Sequence, residues 1–410
     1  MQRLSELIRK MGNNAKWLTI TEPGWSIPMP WVFYYQPIYM KAFGVTGFEL
    51  GLLLTFSQAL SIFSPLLGEL FIARLGMKWT FLLIDTLTNA GYLLPLILAK
   101  SQADFVAVYV FSALFAAVGP VWETLLAEGT APEARAIGYS IASMLQLVSG
   151  LMTPLAGLLL TQCGIIEGYR MLATIALVAF LAKTAVLVFK LEEPKNRKKS
   201  EKDSVTITFA FKAMMRSRNL LLLSAFNVIS SITVFTVPTY LPLYLEDSKG
   251  LALNPEEMGV IQAVSSAVSL VALFHILTRP YTPASYRQLL TVSVTAGIAG
   301  YITYLIATPQ VKAIAFVAAA FLGIKYIEFT VARTFLVNAI DEVDPAMKSK
   351  VFSILYTANQ AITIPAPALL GLAYTYNPRN LWILAAALSA VELAIALKLY
   401  TRREKRQRQN

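Results

Sequence analysis

Charge is what this chain has least of. Only 14% of its residues are Asp, Glu, Lys or Arg, against 56% hydrophobic, whereas soluble domains carry about 25% charged residues. A soluble globular fold is excluded on composition. The single cysteine, Cys163, leaves no internal disulfide, and the single histidine, His275, excludes a His-rich metal site. No Gly-x-x-x-x-Gly-Lys-Ser/Thr run occurs, which argues against ATP-driven pumping by this chain. No nucleophile stands with a base and no ligand set has metal-binding spacing, so neither an enzyme, a metal centre nor a cofactor is expected. Residues 1–16 are polar and charged without a short apolar core, and do not read as a cleavable signal peptide.

What the chain does have is apolar sequence in runs long enough to cross a bilayer. Six precede residue 191: Trp17 to Phe43, Glu49 to Leu75, Trp79 to Ala99, Asp104 to Glu128, Ala136 to Gln162 and Tyr169 to Lys190. Six follow residue 218: Leu220 to Leu245, Pro255 to Leu277, Arg287 to Ala307, Val311 to Val337, Val351 to Tyr376 and Asn380 to Tyr400. Within lipid each can satisfy its own backbone only as a helix, since none shows the two-residue alternation of a barrel strand. Between the halves lies one long charged stretch, Leu191 to Arg218, with the core Glu192-Glu193-Pro194-Lys195-Asn196-Arg197-Lys198-Lys199. The expected organisation is a bundle of residues 1–190, a basic linker of 191–218, and a second bundle of 219–410 ending in a basic tail.

The net charge of +11 raises the question of nucleic acid. Its distribution answers it. Twelve spans put both ends on one side, and the loops opposite hold only Lys41, Lys100, Arg170, Lys249, Lys312 and Arg379, while most of the 35 Lys and Arg lie with the ends and the linker. That is the positive-inside asymmetry, so both termini are expected in the cytosol of a cell-membrane protein. The tail Arg402-Arg403-Glu404-Lys405-Arg406 reads as an anchor near anionic lipid rather than a nucleic-acid site. A monomer is expected.

Proline marks the first span. Pro23, Gly24, Pro28, Pro30 and Pro37 interrupt it, with Trp25, Trp31, Tyr34, Tyr35 and Gln36 around the breaks. Broken helices near mid-membrane build substrate sites in many transporters; a helix bent for packing alone is the other reading. The pattern then returns in the second half. Gln36-Pro37-Ile38-Tyr39-Met40 followed by Glu49-Leu50-Gly51 is echoed by Leu241-Pro242-Leu243-Tyr244-Leu245 followed by Glu257-Met258-Gly259. Glu128, Pro132, Arg135 and Ser140 are echoed by Asp341, Pro345, Lys348 and Ser353. Echoes at matching places indicate duplication. The expected fold is an all-α membrane protein of twelve transmembrane helices, in two six-helix bundles related by a pseudo-two-fold repeat.

Between the second and third spans the chain reads Gly68-Glu69-Leu70-Phe71-Ile72-Ala73-Arg74-Leu75-Gly76-Met77-Lys78. This resembles the loop signature of the major facilitator superfamily, and the resemblance extends over the whole chain. Arg74, Gly76 and Lys78 keep the pattern; Ala73 stands where the family has Asp, and Gly68 lies one residue too far upstream. The resemblance thus implies the fold but an altered charge lock between helix ends. In the fifth span Ser149-Gly150-Leu151-Met152-Thr153-Pro154-Leu155-Ala156-Gly157-Leu158 resembles the family's exporter pattern at Pro154 and Gly157. Small residues here also suit close helix packing.

The resemblance implies alternating access, with the first, fourth, seventh and tenth helices lining a central path. Ionised groups are costly inside a membrane and call for a partner or a task. Lys325 and Glu328, three residues apart and hence on one helical face beside Tyr326, are the leading candidates for solute and proton. A self-neutralising pair between helices is the alternative. Tyr35, Gln36, Gln146, Asn227, Tyr356, Asn359 and Gln360 are candidate polar groups along the path, or interhelical hydrogen bonds. Glu22, Glu123 or both are expected to close an inner gate against Arg333, and Asp85 with Lys183 to form a structural ion pair. The functional expectation is proton-coupled export of an amphipathic or drug-like compound. Uptake of a sugar or organic anion is the alternative, and a non-transporting receptor or scaffold the alternative from another class.

Overall fold

The computed structural model describes residues 10–194, 207–277, 283–341 and 348–399, and every regular element among them is helical. Two compact units divide the chain, Met1–Lys198 with Asn254–Gly259, and Lys199–Leu253 with Val260–Asn410. The first half holds α1 (Asn13–Thr21), α2 (Pro23–Ser26), α3 (Pro28–Ala42), α4 (Gly47–Ser61), α5 (Ser64–Leu75), α6 (Met77–Leu98), α7 (Asp104–Ser112), α8 (Phe115–Ala127), α9 (Pro132–Cys163) and α10 (Ile165–Lys190). After them come α11 (Ile207–Arg216), α12 (Arg218–Ser231), a π-helical stretch Ile232–Thr236, α13 (Val237–Thr239), α14 (Leu241–Glu246) and α15 (Pro255–Leu277). The rest are α16 (Pro283–Ile306), α17 (Ile314–Lys325), α18 (Glu328–Asp341), α19 (Lys348–Thr363), α20 (Ala366–Tyr376) and α21 (Asn380–Lys398).

Helix occupies all twelve expected stretches. Nine runs among the described residues are long and apolar enough to cross a membrane, and the pair α4 and α5, bent by 41°, makes a tenth. The first and eleventh stretches are built from shorter pieces. Pro23 and Pro28 each open a new piece, because proline lacks the N–H that a helix interior needs but fits its first turn. Pro365 and Pro367 divide the eleventh stretch in the same way.

The sequence echoes are local structures made twice. Thr46 accepts from the Glu49 N–H at 3.2 Å while the Glu49 carboxylate accepts from the Thr46 N–H at 2.7 Å, a reciprocal cap on α4. Asn254 and Glu257 form the same cap on α15, at 2.8 and 3.0 Å. Tyr39 donates to the Leu96 carbonyl at 2.7 Å and Tyr244 to the Tyr304 carbonyl at 2.7 Å. Both tyrosines are buried, so an unsatisfied hydroxyl would be costly and each finds a carbonyl.

Aromatic side chains fill the bundle interiors. Tyr39 stacks on Tyr169 at 4.1 Å between ring centres, and Trp382 packs against Tyr304 and Tyr244 at 4.8 and 5.0 Å. The outer surface is equally apolar: Phe189 is 83% exposed, and Leu66, Leu98, Val178 and Val271 also face outward. Such a surface suits lipid rather than water.

Part of the stretch between the halves is helical. Its residues 207–216 form α11, whose Met214 enters the core around Leu220, Leu223 and Phe335, because apolar residues at helical spacing give it a face to bury. Residues 191–194 are also tied down. Asn13 and Asn14 reach the Lys190 and Glu192 carbonyls at 3.0 and 2.9 Å, and the Glu193 carboxylate accepts from the Met77 and Lys78 N–H groups at 2.6 and 2.9 Å.

Candidate functional site

The tenth stretch contains the buried pair expected from its sequence, but the pair is one part of a larger cluster. Lys325 ends α17 and Glu328 begins α18 after a turn, so the helix is interrupted between them. The Lys325 Nζ stands 2.7 Å from Glu328 Oε2, 3.0 Å from Glu392 Oε2 of α21 and 3.3 Å from Ser389 Oγ. All three ammonium hydrogens are therefore engaged. Ser230 of α12 donates to Glu328 at 2.8 Å and Thr233 donates to Glu392 at 2.7 Å. Thr233 lies in the π-helical stretch, and its carbonyl accepts the Tyr301 hydroxyl at 2.9 Å. An irregular turn of this kind frees a backbone group for a new partner.

Burial is nearly complete: Lys325 is 3% exposed, Glu328 and Glu392 0%. Gly297 makes the arrangement possible, because a Cβ there would overlap the Lys325 side chain. With all three groups ionised the cluster carries one net negative charge. In a membrane interior such a surplus is expensive.

A second cluster lies in the other unit. Lys183 of α10 stands 3.7 Å from Asp85 of α6, beyond hydrogen-bond reach. Asp85 also accepts from Asn89 at 2.8 Å, and Asn89 accepts from the Trp25 indole at 2.8 Å. Glu22, in the break between α1 and α2, accepts from Ser26 at 2.6 Å and lies within electrostatic reach of Lys183 and Asp85.

The expected path residues are divided between the two units. Lys325 and Glu328 meet, buried with Glu392 of α21 and with Ser230 of α12 donating to Glu328. Tyr326 between them is 41% exposed. Gln36 is buried, with its carbonyl oxygen accepting from Tyr92 at 2.6 Å and its amide nitrogen unpartnered. Tyr35 is buried and donates to the Pro255 carbonyl at 2.8 Å. Gln146 is exposed, and Asn227 is half-buried and bonds back to the Leu223 carbonyl at 2.8 Å. Asn359 is half-buried with an unpartnered side-chain oxygen; the Tyr356 and Gln360 side chains lie outside the described residues.

Of the expected gate, Glu123 and Arg333 are exposed, whereas Glu22 is 6% exposed and belongs with Asp85 and Lys183. The pairing of Asp85 with Lys183 was expected from their shared depth; the association of Glu22 with them was not. In the loop signature Gly68 packs on Ala117, Arg74 is exposed and Lys78 lies over the Trp79 ring. Gly76 has a φ of +81° and receives the Glu193 carboxylate against its backbone. Glu193 thus supplies an acid at the very turn where Ala73 lacks one. Sequence reasoning missed Glu392 and Glu193; a lone Glu in the last apolar stretch was the available signal for the first.

No curated protein matches the chain. Among solved structures, the nucleoside transporter NupG is 13% identical with a TM-score of 0.71, covering 95% of this chain and 99% of that one. A bacterial homologue of the human lysosomal transporter Spinster, inward-facing and unoccupied, is 17% identical with a TM-score of 0.63, covering 97% and 94%. A proton-dependent oligopeptide transporter is 15% identical with a TM-score of 0.62, covering 94% and 98%. At such identities the likeness speaks for the fold alone. The family model for the Major Facilitator Superfamily matches residues 24–367, and with the helical architecture and buried charges above, the chain belongs to that superfamily: a multi-pass membrane transporter of small solutes, not an enzyme.

Proposed function

We propose that the protein is a proton-coupled secondary transporter that exports amphipathic or drug-like compounds by alternating access. The observation carrying this reading is the Lys325, Glu328 and Glu392 cluster, where one ammonium is shared by two carboxylates at an interruption of the tenth stretch. A carboxyl held between burial and a neighbouring cation is poised between its two charge states, and opening the path to either side alters that balance. A cationic solute favours the ionised cluster and releases its proton, which gives exchange. Uptake of an organic anion on Lys325 is the weaker reading, because the ammonium already spends its three hydrogens within the cluster.

The test uses full-length protein in liposomes with ethidium as an amphipathic cationic probe and an imposed pH gradient. Wild type is expected to concentrate the probe against its gradient. Glu328→Gln is expected to lose that accumulation while still exchanging labelled for unlabelled probe. Accumulation at the wild-type rate in Glu328→Gln would remove Glu328 from coupling.

A further inference from the structure

We propose that α11 is a docking surface for an anionic phospholipid, whose phosphate is held by Lys212 and Arg216 and whose acyl chains lie against Phe211 and Met215. The argument begins with where α11 stands. Its length of about 15 Å, at 1.5 Å per residue, is half the thickness of a bilayer's hydrocarbon core. It cannot cross. Ser217 alone separates it from Arg218, where the apolar span of α12 begins, and the extended backbone there, with φ of −90° and ψ of 105°, keeps the two helices from forming one. α11 therefore lies at the end of a span, at the level of lipid headgroups.

The faces of α11 then divide. Met214 is 6% exposed; it enters the core with Leu220, Leu223 and Phe335, and its sulfur accepts the Ser224 hydroxyl at 3.5 Å. Lys212 and Arg216, four residues apart, share the opposite face, each two positions or about 200° from Met214, and both are exposed. Phe211 and Met215, also four apart, form the adjoining stripe and are 48% and 51% exposed. Phe209, 55% exposed, borders the cations from the other side. Packing on the protein accounts for Met214 and leaves the other apolar side chains half in the open.

Charge and apolarity side by side decide the partner. From Ser204 to Leu245 the chain has no Asp or Glu, so the only charged residues in and around α11 are Lys212, Arg216 and Arg218. A soluble acidic partner would suit these cations and leave the apolar stripe in water. A purely apolar surface would strip the cations of water without neutralising them. A molecule with an anionic head and hydrocarbon tails matches both, which is how amphipathic helices hold a bilayer surface.

The test places a bimane label on Met215→Cys in a Cys163→Ser background, in full-length protein reconstituted in phosphatidylcholine vesicles. Phosphatidylglycerol and phosphatidylcholine, each with a nitroxide high on the acyl chain, are compared as quenchers at equal content. The anionic lipid is expected to quench more strongly, by up to about fivefold for each cation its headgroup meets, and the preference to shrink as salt rises. Lys212→Gln with Arg216→Gln, which alters exposed side chains only, is expected to remove the preference, and Lys212→Arg with Arg216→Lys to keep it. The same label on Leu369→Cys, an exposed apolar position outside α11, is expected to show no preference. Equal quenching by the two lipids at position 215 overturns the proposal, as does a preference that survives the double glutamine variant. An equal preference at position 369 would mean that anionic lipid gathers around the whole protein, and quenching by neither lipid at 215 would assign α11 to water and a soluble acidic partner; either result overturns the proposal as well.

Discussion

Lys183 shows what a single buried charge demands of its surroundings. Its ammonium has two carboxylates near it and no hydrogen bond among the described residues, so its stabilisation is electrostatic. Lys183→Met leaves the buried Asp85 carboxylate without its counter-ion, and breaking a buried pair in this way costs about 3–5 kcal/mol. The double variant Lys183→Met with Asp85→Asn is expected to recover most of that loss, because only Glu22 remains. Thermal unfolding of the purified proteins, read by tryptophan fluorescence, checks it. Additive losses in the double variant would show that Asp85 and Lys183 are not a coupled pair.

At the scale of elements, the start of α6 depends on a residue more than a hundred positions away. Its first N–H groups have no partners within the helix, and the Glu193 carboxylate takes two of them. Negative charge at a helix start contributes about 0.3–1 kcal/mol, and a lost cap about 1 kcal/mol. Glu193→Ala is therefore expected to expose the first turn of α6 without unfolding the unit. Hydrogen exchange should show faster exchange confined to residues 77–80. Unchanged protection there would mean that the contact contributes nothing. Gly76→Ala should give a larger effect, since its Cβ would lie 2.7 Å from Glu193 Oε1 and the φ of +81° disfavours any side chain.

The whole molecule is a multi-pass membrane protein, and the distribution of its cations predicts its orientation. Single cysteines in a Cys163→Ser background are expected to react with an impermeant reagent from outside intact cells at positions 249 and 379. Cysteines at positions 198 and 406, which lie outside the described residues, are expected to react only after permeabilisation. Labelling of position 198 from outside would invert the map. The polar linker, the apolar exterior and the paired caps at Thr46 and Asn254 all arise from this same plan of two similar halves in lipid.

Much of that plan was legible without coordinates, because lipid imposes length, apolarity and helical hydrogen bonding on each segment separately. Span positions, the broken first helix and the repeated Pro-x-Tyr and Glu-x-Gly segments are all local, so one dimension of information suffices. The contact between Lys325 and Glu328 was legible for the same reason, three residues being one helical turn. What sequence could not decide is which distant groups join them. Glu392 lies 67 positions from Lys325, Glu22 and Lys183 lie on different helices, and Glu193 reaches the turn at Gly76 from the end of another span. These juxtapositions depend on how helices pack side by side, and the charge of each cluster follows from that packing rather than from any one segment.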